Sequence, residues 1–295
     1  MQIELKPGKY IVAVSGGVDS AVLLELLQAL PEVSLIVAHI DHGMRLDSSL
    51  DQALVAELAA KYGLPFRTVA LGLGSESSEA TARQARYQFL EKLRQEQGAM
   101  AIVTAHHQDD AIETAIINLA RGSGRRGLSA LNDGPALRRP LLNATKAEIL
   151  AYAGRQNLRW REDSTNTNDH YLRNYIRHQV LPQFSVTDRQ QFIGYVTRLR
   201  RTNHELDQVL REAVELIADG PEINRPALQA LPSAVTKELL MAWWRLNSFY
   251  NYETKTIARA YQALSRGQNG TIVPLKKPYF MTIGRVKLAL HTTER

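Results

Sequence analysis

The sequence predicts an α/β fold, in which a domain built on a parallel sheet is followed by a smaller, mainly helical domain. Through the first half, short apolar runs alternate with amphipathic stretches, a pattern typical of β-α-β units. After Pro140 the pattern changes to helical periodicity, and period-two stretches return only near the end. We therefore expect two domains, which span residues 1–185 and 186–295.

The first domain is predicted to contain strands that are each followed by a helix. The strand candidates are the apolar runs at 10–14, 35–39, 66–71 and 101–105. Helical patterns follow them at 19–30, 47–62, 78–97 and 109–121. Ligands of such sheets bind beyond the carboxyl ends of the strands. Polar residues that directly follow a strand are therefore the first candidates for a functional site.

Helices dominate the rest of the predicted structure. The patterns indicate a helix at 144–156, a basic helix at 171–180 and one long helix from about 188 to 218. Two more helices are expected at 239–246 and 256–264, and the period-two stretches at 272–290 predict a small hairpin-like tail. Trp243 and Trp244 are interpreted as core residues rather than as a platform for stacking bases.

Composition excludes several classes of protein. The 295 residues are 44% hydrophobic, no apolar run approaches the length of a membrane span, and the N-terminus has no apolar signal core. We therefore expect a cytoplasmic protein without a membrane segment. Cysteine is absent, which excludes a disulfide framework, a thiolate zinc site, an iron–sulfur cluster and a protein persulfide.

Positive charge is concentrated in the middle of the chain. The formal net charge is +6, whereas residues 121–201 hold fourteen arginines and one lysine against six acidic residues, a local net charge of +9. Arginine binds phosphate through two parallel hydrogen bonds and stacks on bases. A polyanionic partner is therefore expected, with a solvated basic face as the alternative.

The loop between the first strand and the first helix carries the strongest chemical signal. It consists of Ser15, Gly16, Gly17, Val18, Asp19 and Ser20. Glycines let backbone N–H groups approach an oxyanion, and the positive end of the following helix points the same way. A Walker-type loop would carry a lysine where Asp19 stands, and a carboxylate there can hold a hydrated Mg²⁺. We predict an ATP site that releases pyrophosphate and leaves an adenylated intermediate, and an ordinary glycine turn is the alternative.

Polar residues also follow the second predicted strand. His39 and Asp41 are expected to frame the adenosine side of the ATP pocket, and Arg45 to contact phosphate or RNA. A structural role for His39 is the simpler alternative. The spacing of His39 and His42 could also suit a metal, but no further ligands complete such a set.

A pair of carboxylates follows the fourth predicted strand. Asp110, Glu113 and Thr114 fall on one helical face. Two carboxylates there could hold Mg²⁺, act as a base or bind an ammonium group. Asp109 or Asp110 could instead simply cap the helix.

Together these residues resemble one family, the tRNA(Ile)-lysidine synthetases, within the PP-loop superfamily of N-type ATP pyrophosphatases, whose sheet is Rossmann-like. The resemblance rests on motifs at 15–20, 39–45, 83–87, 106–114, 121–128, 139–142 and 162–166, and continues from 171 to 182. The first motif is common to the superfamily, whereas the motifs at 162–164 and 173–177 point to this branch. Thr165 is a conservative departure from the serine of the family pattern.

The resemblance implies a reaction in two steps. The wobble cytidine C34 of a tRNA(Ile) with a CAU anticodon is adenylated, and free L-lysine then displaces AMP at C2 of the base. ATP and Mg²⁺ are the implied cofactors, with Asp19 as the Mg²⁺ ligand. The domain that follows residue 185 would contact the tRNA, and longer members add a further C-terminal domain that this sequence stops short of.

The resemblance also implies roles for individual side chains. Arg86, and less directly Arg83, would stabilise phosphate charge during adenylation. Asp110 and Glu113 would recognise lysine. The implied contacts to RNA or phosphate come from the remaining basic candidates, Arg121, Arg125, Arg126, Arg173 and Arg177.

Two alternatives of other kinds stay open on the sequence alone. Another tRNA-modifying enzyme of the superfamily, such as a cytidine thiolase, is disfavoured by the absence of cysteine. A non-catalytic module that binds nucleotides or RNA is disfavoured by the presence of Asp19, Asp110 and Glu113. The sequence does not determine the oligomeric state, and a homodimer stays open.

Overall fold

The computed structural model describes residues 1–41, 48–72, 79–129, 131, 133–161, 172–250 and 252–293. The chain divides into two compact units, Met1–Arg200 and Arg201–Arg295. The functional division at residue 185 stays a prediction. Among the described residues, no helix combines the length and the apolarity that crossing a membrane requires.

A parallel five-stranded sheet forms the centre of the first unit, which confirms the predicted α/β class. Its strands are β1 (Gly8–Ala13), β2 (Val33–Asp41), β3 (Phe66–Ala70), β4 (Ala101–Val103) and β5 (Leu137–Arg138). They are arranged in the order β3-β2-β1-β4-β5. The order reverses direction between β1 and β4, so ligands are expected where the carboxyl ends of these two strands meet.

Helices cover both faces of this sheet. The described helices up to residue 155 are α1 (Val18–Gln28), α2 (Ser48–Lys61), α3 (Glu79–Glu96), α4 (Gln108–Ala120), α5 (Arg125–Leu128) and α6 (Lys146–Arg155). Successive residues of β1 point to opposite faces. Val12 lies in one core with Leu24 of α1 and Ile149 of α6, whereas Ile11 lies in another with Leu90 of α3. Burial on both faces explains why β1 is a continuous apolar run rather than an alternating one.

The predicted basic helix packs on α4. It begins as α7 (Leu172–Tyr175), widens into a π-helical segment (Ile176–Val180) and ends in a 3₁₀ turn (Leu181–Gln183). Ile176 and Leu181 share a small core with Ile112 and Ile117 of α4. This packing brings the arginines of the basic helix to the carboxylates of α4. The long predicted helix follows as α8 (Val186–Ile217).

The second unit is mainly helical, as predicted, but it contains more sheet than the expected hairpin-like tail. After α8 come β6 (Ala218–Asp219), β7 (Glu222–Asn224), α9 (Arg225–Gln229), α10 (Ser233–Leu246), α11 (Thr254–Arg266), β8 (Thr271–Pro274), β9 (Tyr279–Ile283) and β10 (Lys287–Thr292). The strands form an antiparallel sheet in the order β6-β7-β10-β9-β8. Trp243 and Trp244 are fully buried in the core of this unit, as expected.

Candidate functional site

The glycine loop joins β1 to α1 at the carboxyl edge of the sheet. Gly16 has a φ of +95°, a conformation that favours glycine. Two serines close the loop, because Ser15 N donates to Ser20 Oγ at 3.2 Å and Ser20 Oγ donates to the carbonyl oxygen of Gly17 at 2.9 Å. Gly17 caps α1 without a side-chain hydrogen bond. The first backbone N–H groups of α1 can therefore donate hydrogen bonds to an anion.

Three helices begin around the carboxylate of Asp19. Asp19 is the second residue of α1, and its Oδ1 accepts a hydrogen bond of 2.6 Å from Nζ of Lys146, the first residue of α6. Nε2 of His107, the cap residue of α4, lies 3.8 Å from Asp19 Oδ2. Gln108 N also donates to the carbonyl oxygen of Ala144 at 3.0 Å, which ties the start of α4 to the loop before α6.

His107 connects the glycine loop to the carboxylate pair of α4, Asp110 and Glu113. Its Nδ1 accepts a hydrogen bond from Asp109 N, so in the neutral imidazole the proton is on Nε2. That Nε2 lies 3.8 Å from an oxygen of Asp19 and 3.6 Å from an oxygen of Asp110. The two predicted groups of functional residues are therefore one continuous polar site.

A partly exposed carboxylate beside a phosphate loop fits Mg²⁺ binding. Proteins usually bind Mg²⁺ through one or two carboxylates, and substrate phosphates and waters supply the remaining ligands. Asp19 meets this requirement. In the described part of the chain, no group of three or more His, Asp or Glu side chains is placed so that it could hold a metal ion. The residues present suit an ion held mainly by a nucleotide rather than by a protein cage.

Glu113 is a buried carboxylate that is bound by a guanidinium. Its side chain has 0% exposure, and Arg177 donates to it twice, from Nε to Oε1 at 2.7 Å and from Nη2 to Oε2 at 3.0 Å. Nε of Arg173 lies 3.5 Å from Oε2. Burial raises the pKa of Glu113, although the hydrogen bonds and the charge of Arg177 oppose this shift.

Asp110 both caps α4 and faces the same guanidinium. Its Oδ2 accepts from the backbone N of His107 at 2.9 Å, and its Oδ1 accepts from Nη2 of Arg177 at 3.3 Å. Burial alone would raise the pKa of Asp110, but the neighbouring histidines, the backbone hydrogen bond and Arg177 together lower it. The capping role is thus confirmed for Asp110, whereas Asp109 forms an ion pair with Arg189 at 3.0 Å.

The structure gives His39 a clear structural contact. His39 is buried at the end of β2, and its Nδ1 donates to the carbonyl oxygen of Val14 at 2.9 Å, directly before the glycine loop. Asp41 is half-buried at the end of the same strand. The adenosine role of both residues stays a prediction. Arg45, His42, the motif at 162–166 and the first residue of the motif at 171–182 lie outside the described residues.

The arginines of α3 lie near the start of α4. The guanidinium carbons of Arg83 and Arg86 lie 5.1 Å and 5.4 Å from the centre of the Tyr87 ring. Burial lowers the pKa of His106 to about 3, and the positive charges of Arg139, Arg86 and Arg83 add to this effect while Asp110 opposes it. These arginines therefore make the edge beside the carboxylates electropositive.

The other basic candidates occupy a different place. Arg121 is exposed at the carboxyl end of α4, and Arg125 and Arg126 begin α5. At 1.5 Å per residue, Arg121 is roughly 16 Å from Asp110 along the helix axis. Their contact with RNA stays a prediction. Arg173 and Arg177, by contrast, lie against α4, because Arg177 donates to Glu113 and Nη2 of Arg173 donates to Thr114 Oγ1 at 3.0 Å.

Sequence reasoning missed Lys146 and His107. Lys146 follows a recognisable helix start, in which Thr145 and Glu148 form a capping box. That local signal predicts α6 but says nothing of Asp19, which is 127 positions away. His107 belongs to the motif after β4, but its place between Asp19 and Asp110 depends on how the starts of α1 and α4 come together in the fold.

The sequence matches known proteins over most of its length. The PP-loop domain family matches residues 1–184. A tRNA(Ile)-lysidine synthase of Nitrosomonas europaea is 37% identical over 250 residues, which cover 78% of this chain and 53% of that protein. One of Actinobacillus pleuropneumoniae is 36% identical over 247 residues, 79% of this chain and 58% of that protein. One of Francisella tularensis is 30% identical over 287 residues, 94% of this chain and 72% of that protein. The chain thus spans little more than half the length of the first two relatives.

Proposed function

Because the chain belongs to the PP-loop family of tRNA(Ile)-lysidine synthases, we propose that it is an ATP-dependent ligase that acts on tRNA(Ile). It adenylates C34 of the CAU anticodon and joins L-lysine to C2 of that base, with release of pyrophosphate and AMP. One observation carries the proposal. A glycine loop suited to phosphate and a carboxylate pair suited to an ammonium group meet at one edge of the sheet, with His107 between them.

The first step uses the glycine loop. The loop of residues 15–20 holds the ATP phosphates through backbone N–H groups at the start of α1. Arg86, assisted by Arg83, stabilises the charge that develops when C34 attacks the α-phosphate and pyrophosphate leaves. Asp19 would hold Mg²⁺, which when bound neutralises phosphate charge. The oxygen at C2 of the base becomes the oxygen of the adenylate, so AMP is a good leaving group in the second step.

The second step uses the carboxylates of α4. Asp110 and Glu113 attract the ammonium group of lysine, and Arg177 keeps both side chains oriented toward the site. Lysine must lose a proton before its amine attacks C2. Glu113 suits this task because burial raises its pKa toward that of an effective general base. The C–N bond forms, the C–O bond to AMP breaks, and the proton moves to the carboxylate.

A labelling experiment tests this function. The chain is incubated with ATP, Mg²⁺, labelled L-lysine and a tRNA(Ile) transcript with a CAU anticodon, and a transcript with C34 changed to U is the control. We expect label in the first RNA and one AMP for each lysine incorporated. AMP release without label in RNA would contradict the proposal. Sulfur incorporation in a parallel reaction supplied with labelled sulfide would favour a thiolase, and the absence of AMP would favour a non-catalytic module.

A further inference from the structure

The glycine loop lacks the lysine that commonly contacts the β- and γ-phosphates of a nucleotide, yet the fold brings a lysine to it. Lys146 Nζ lies 2.6 Å from Asp19 Oδ1, one residue into the helix that follows the loop. The side chains are 38% and 30% exposed, so an incoming ligand can reach both.

The helix that carries Lys146 does not explain its presence. Lys146 is the first residue of α6, where the helix dipole is positive and a cation is unfavourable. Thr145 and Glu148 already cap this end, since Glu148 Oε2 accepts from Thr145 N at 2.8 Å and Thr145 Oγ1 accepts from Glu148 N at 3.2 Å. A partly exposed ion pair also adds little to stability. Lys146 is therefore better placed to bind a ligand than to stabilise α6.

We propose that Lys146 is the phosphate-binding lysine of the ATP site, supplied by α6 instead of by the loop. In the ligand-free chain its ammonium group is held on Asp19. When ATP binds, the flexible four-carbon side chain swings Nζ from the carboxylate to the β- and γ-phosphates. The inference rests on the proposed ATP-dependent function and assigns a binding residue to it.

Binding measurements on the full chain test this assignment. Lys146→Met is compared with the wild type and with Lys92→Met, which removes an exposed lysine of α3 that pairs with Glu96. Calorimetry in excess EDTA measures the affinities for ATP and for AMP, which lacks the β- and γ-phosphates. We expect K146M to weaken ATP binding about tenfold or more, the loss typical of one charge-assisted contact. K146M should leave AMP binding unchanged, and K92M should change neither affinity.

A second comparison separates contact with phosphate from mere neutralisation of Asp19. If Lys146 only cancels the charge of Asp19, its removal costs no ATP affinity in the D19N background. If Lys146 contacts phosphate, K146M/D19N binds ATP about tenfold more weakly than D19N does. Equal affinities of these two variants, or equal losses of ATP and AMP affinity in K146M, would overturn the assignment. A wild-type chain that binds no ATP would instead overturn the proposed function.

Discussion

At the residue scale, the fold holds His106 in its neutral form. The side chain lies between a buried strand end and a group of arginines, and its Nδ1 is 2.8 Å from Thr104 Oγ1. Burial, with help from Arg139 and Arg86, lowers the pKa of His106 from 6.5 to about 3. An imidazolium at this position would add a fourth positive group, beside Arg83, Arg86 and Arg139, to a site that we assign to phosphate.

This environment predicts how stability depends on pH. Below about pH 6.5 the unfolded chain binds a proton at His106 that the folded chain does not bind. The free energy of unfolding is therefore unaffected by His106 titration above that pH. As the pH falls toward about 3, it decreases by up to about 1.4 kcal/mol per pH unit. Urea unfolding of the wild type and of His106→Gln between pH 7.5 and pH 5 measures it.

The difference in unfolding free energy between these two proteins should be constant near pH 7.5 and should shift in favour of H106Q as the pH falls. His204→Gln, which replaces an exposed histidine of α8, is the matched control. Parallel curves for the wild type and H106Q would show that His106 is protonated equally in both states.

Residue roles with local partners could be predicted from the sequence, and roles with distant partners could not. Asp110 lies three positions from the backbone group that it caps, so the sequence already contains this relation. Arg177 was expected to face RNA or phosphate, which stays a prediction, whereas its two shortest hydrogen bonds go to Glu113, 64 positions away. No periodicity or motif contains such a pairing, because it arises only when α4 and the basic helix pack together.

At the element scale, the strand–loop–helix unit of β1 and α1 depends on one backbone conformation. Gly16 has a φ of +95°, whereas Gly17 has a φ of −75° that any residue adopts. A Cβ at either position would meet neighbouring atoms at ordinary contact distances of 3.6 Å and 3.5 Å. The requirement for glycine at position 16 is therefore conformational and not a matter of space.

Alanine substitutions should separate these two glycines. Gly16→Ala forces a side chain into a positive φ and is expected to cost about 1–3 kcal/mol of unfolding free energy. Gly17→Ala replaces a helix cap and is expected to cost only about 0.5–1 kcal/mol. Urea unfolding measures both. Equal losses would mean that the loop relaxes around Ala at position 16, and that its conformation is not fixed by the fold.

The longer helices and strands could be predicted from the sequence, because the hydrophobic periodicity of each is contained in its own residues. The patterns predicted the strands that became β1 to β4, with bounds that shift by only a few residues. Two-residue strands such as β5 and β6 have no period to read, and they form only because a neighbouring strand offers hydrogen-bond partners. The predicted hairpin-like tail left out β6 and β7. β7 pairs with β10, although the two strands are far apart in the sequence.

At the scale of the whole molecule, the net charge counted from the sequence overstates the positive charge that is available to bind a polyanion. Within the basic segment, Arg177 pairs with Glu113, Arg189 with Asp109 and Arg161 with Asp51. These arginines hold the fold and the site together. Contacts to tRNA are expected from exposed members of the segment such as Arg121.

The salt dependence of tRNA affinity measures how many phosphates the basic segment contacts. The affinity for tRNA should fall steeply as KCl rises, because each phosphate contact releases counterions, while the affinity for ATP should change less. Arg121→Gln should reduce the slope of log affinity against log salt by about one. Arg67→Gln, which removes an exposed arginine of β3 outside the segment, should not change it. A slope near zero for the wild type would mean that the basic segment is only a solvated face.

The central claim is that one sheet edge performs two half-reactions with two groups of residues. Quenched-flow detection of adenylated tRNA, first without lysine and then with it, tests this claim most directly. The wild type should accumulate the adenylate and convert it when lysine is added, and Asp19→Asn should form none.

Glu113→Gln should still form the adenylate but require at least about tenfold more lysine, because a charge-assisted contact is lost. It should also convert the adenylate more slowly at saturating lysine, because the proposed base is lost. Thermal unfolding of this variant is checked first, since Arg177 loses its charged partner, and Asp110→Asn repeats the test at the less deeply buried carboxylate. Folded variants of both carboxylates that accumulate adenylated tRNA and respond only weakly to lysine are the predicted result. Folded variants that form no adenylate would contradict the claim, because the carboxylates of α4 would then serve the first step.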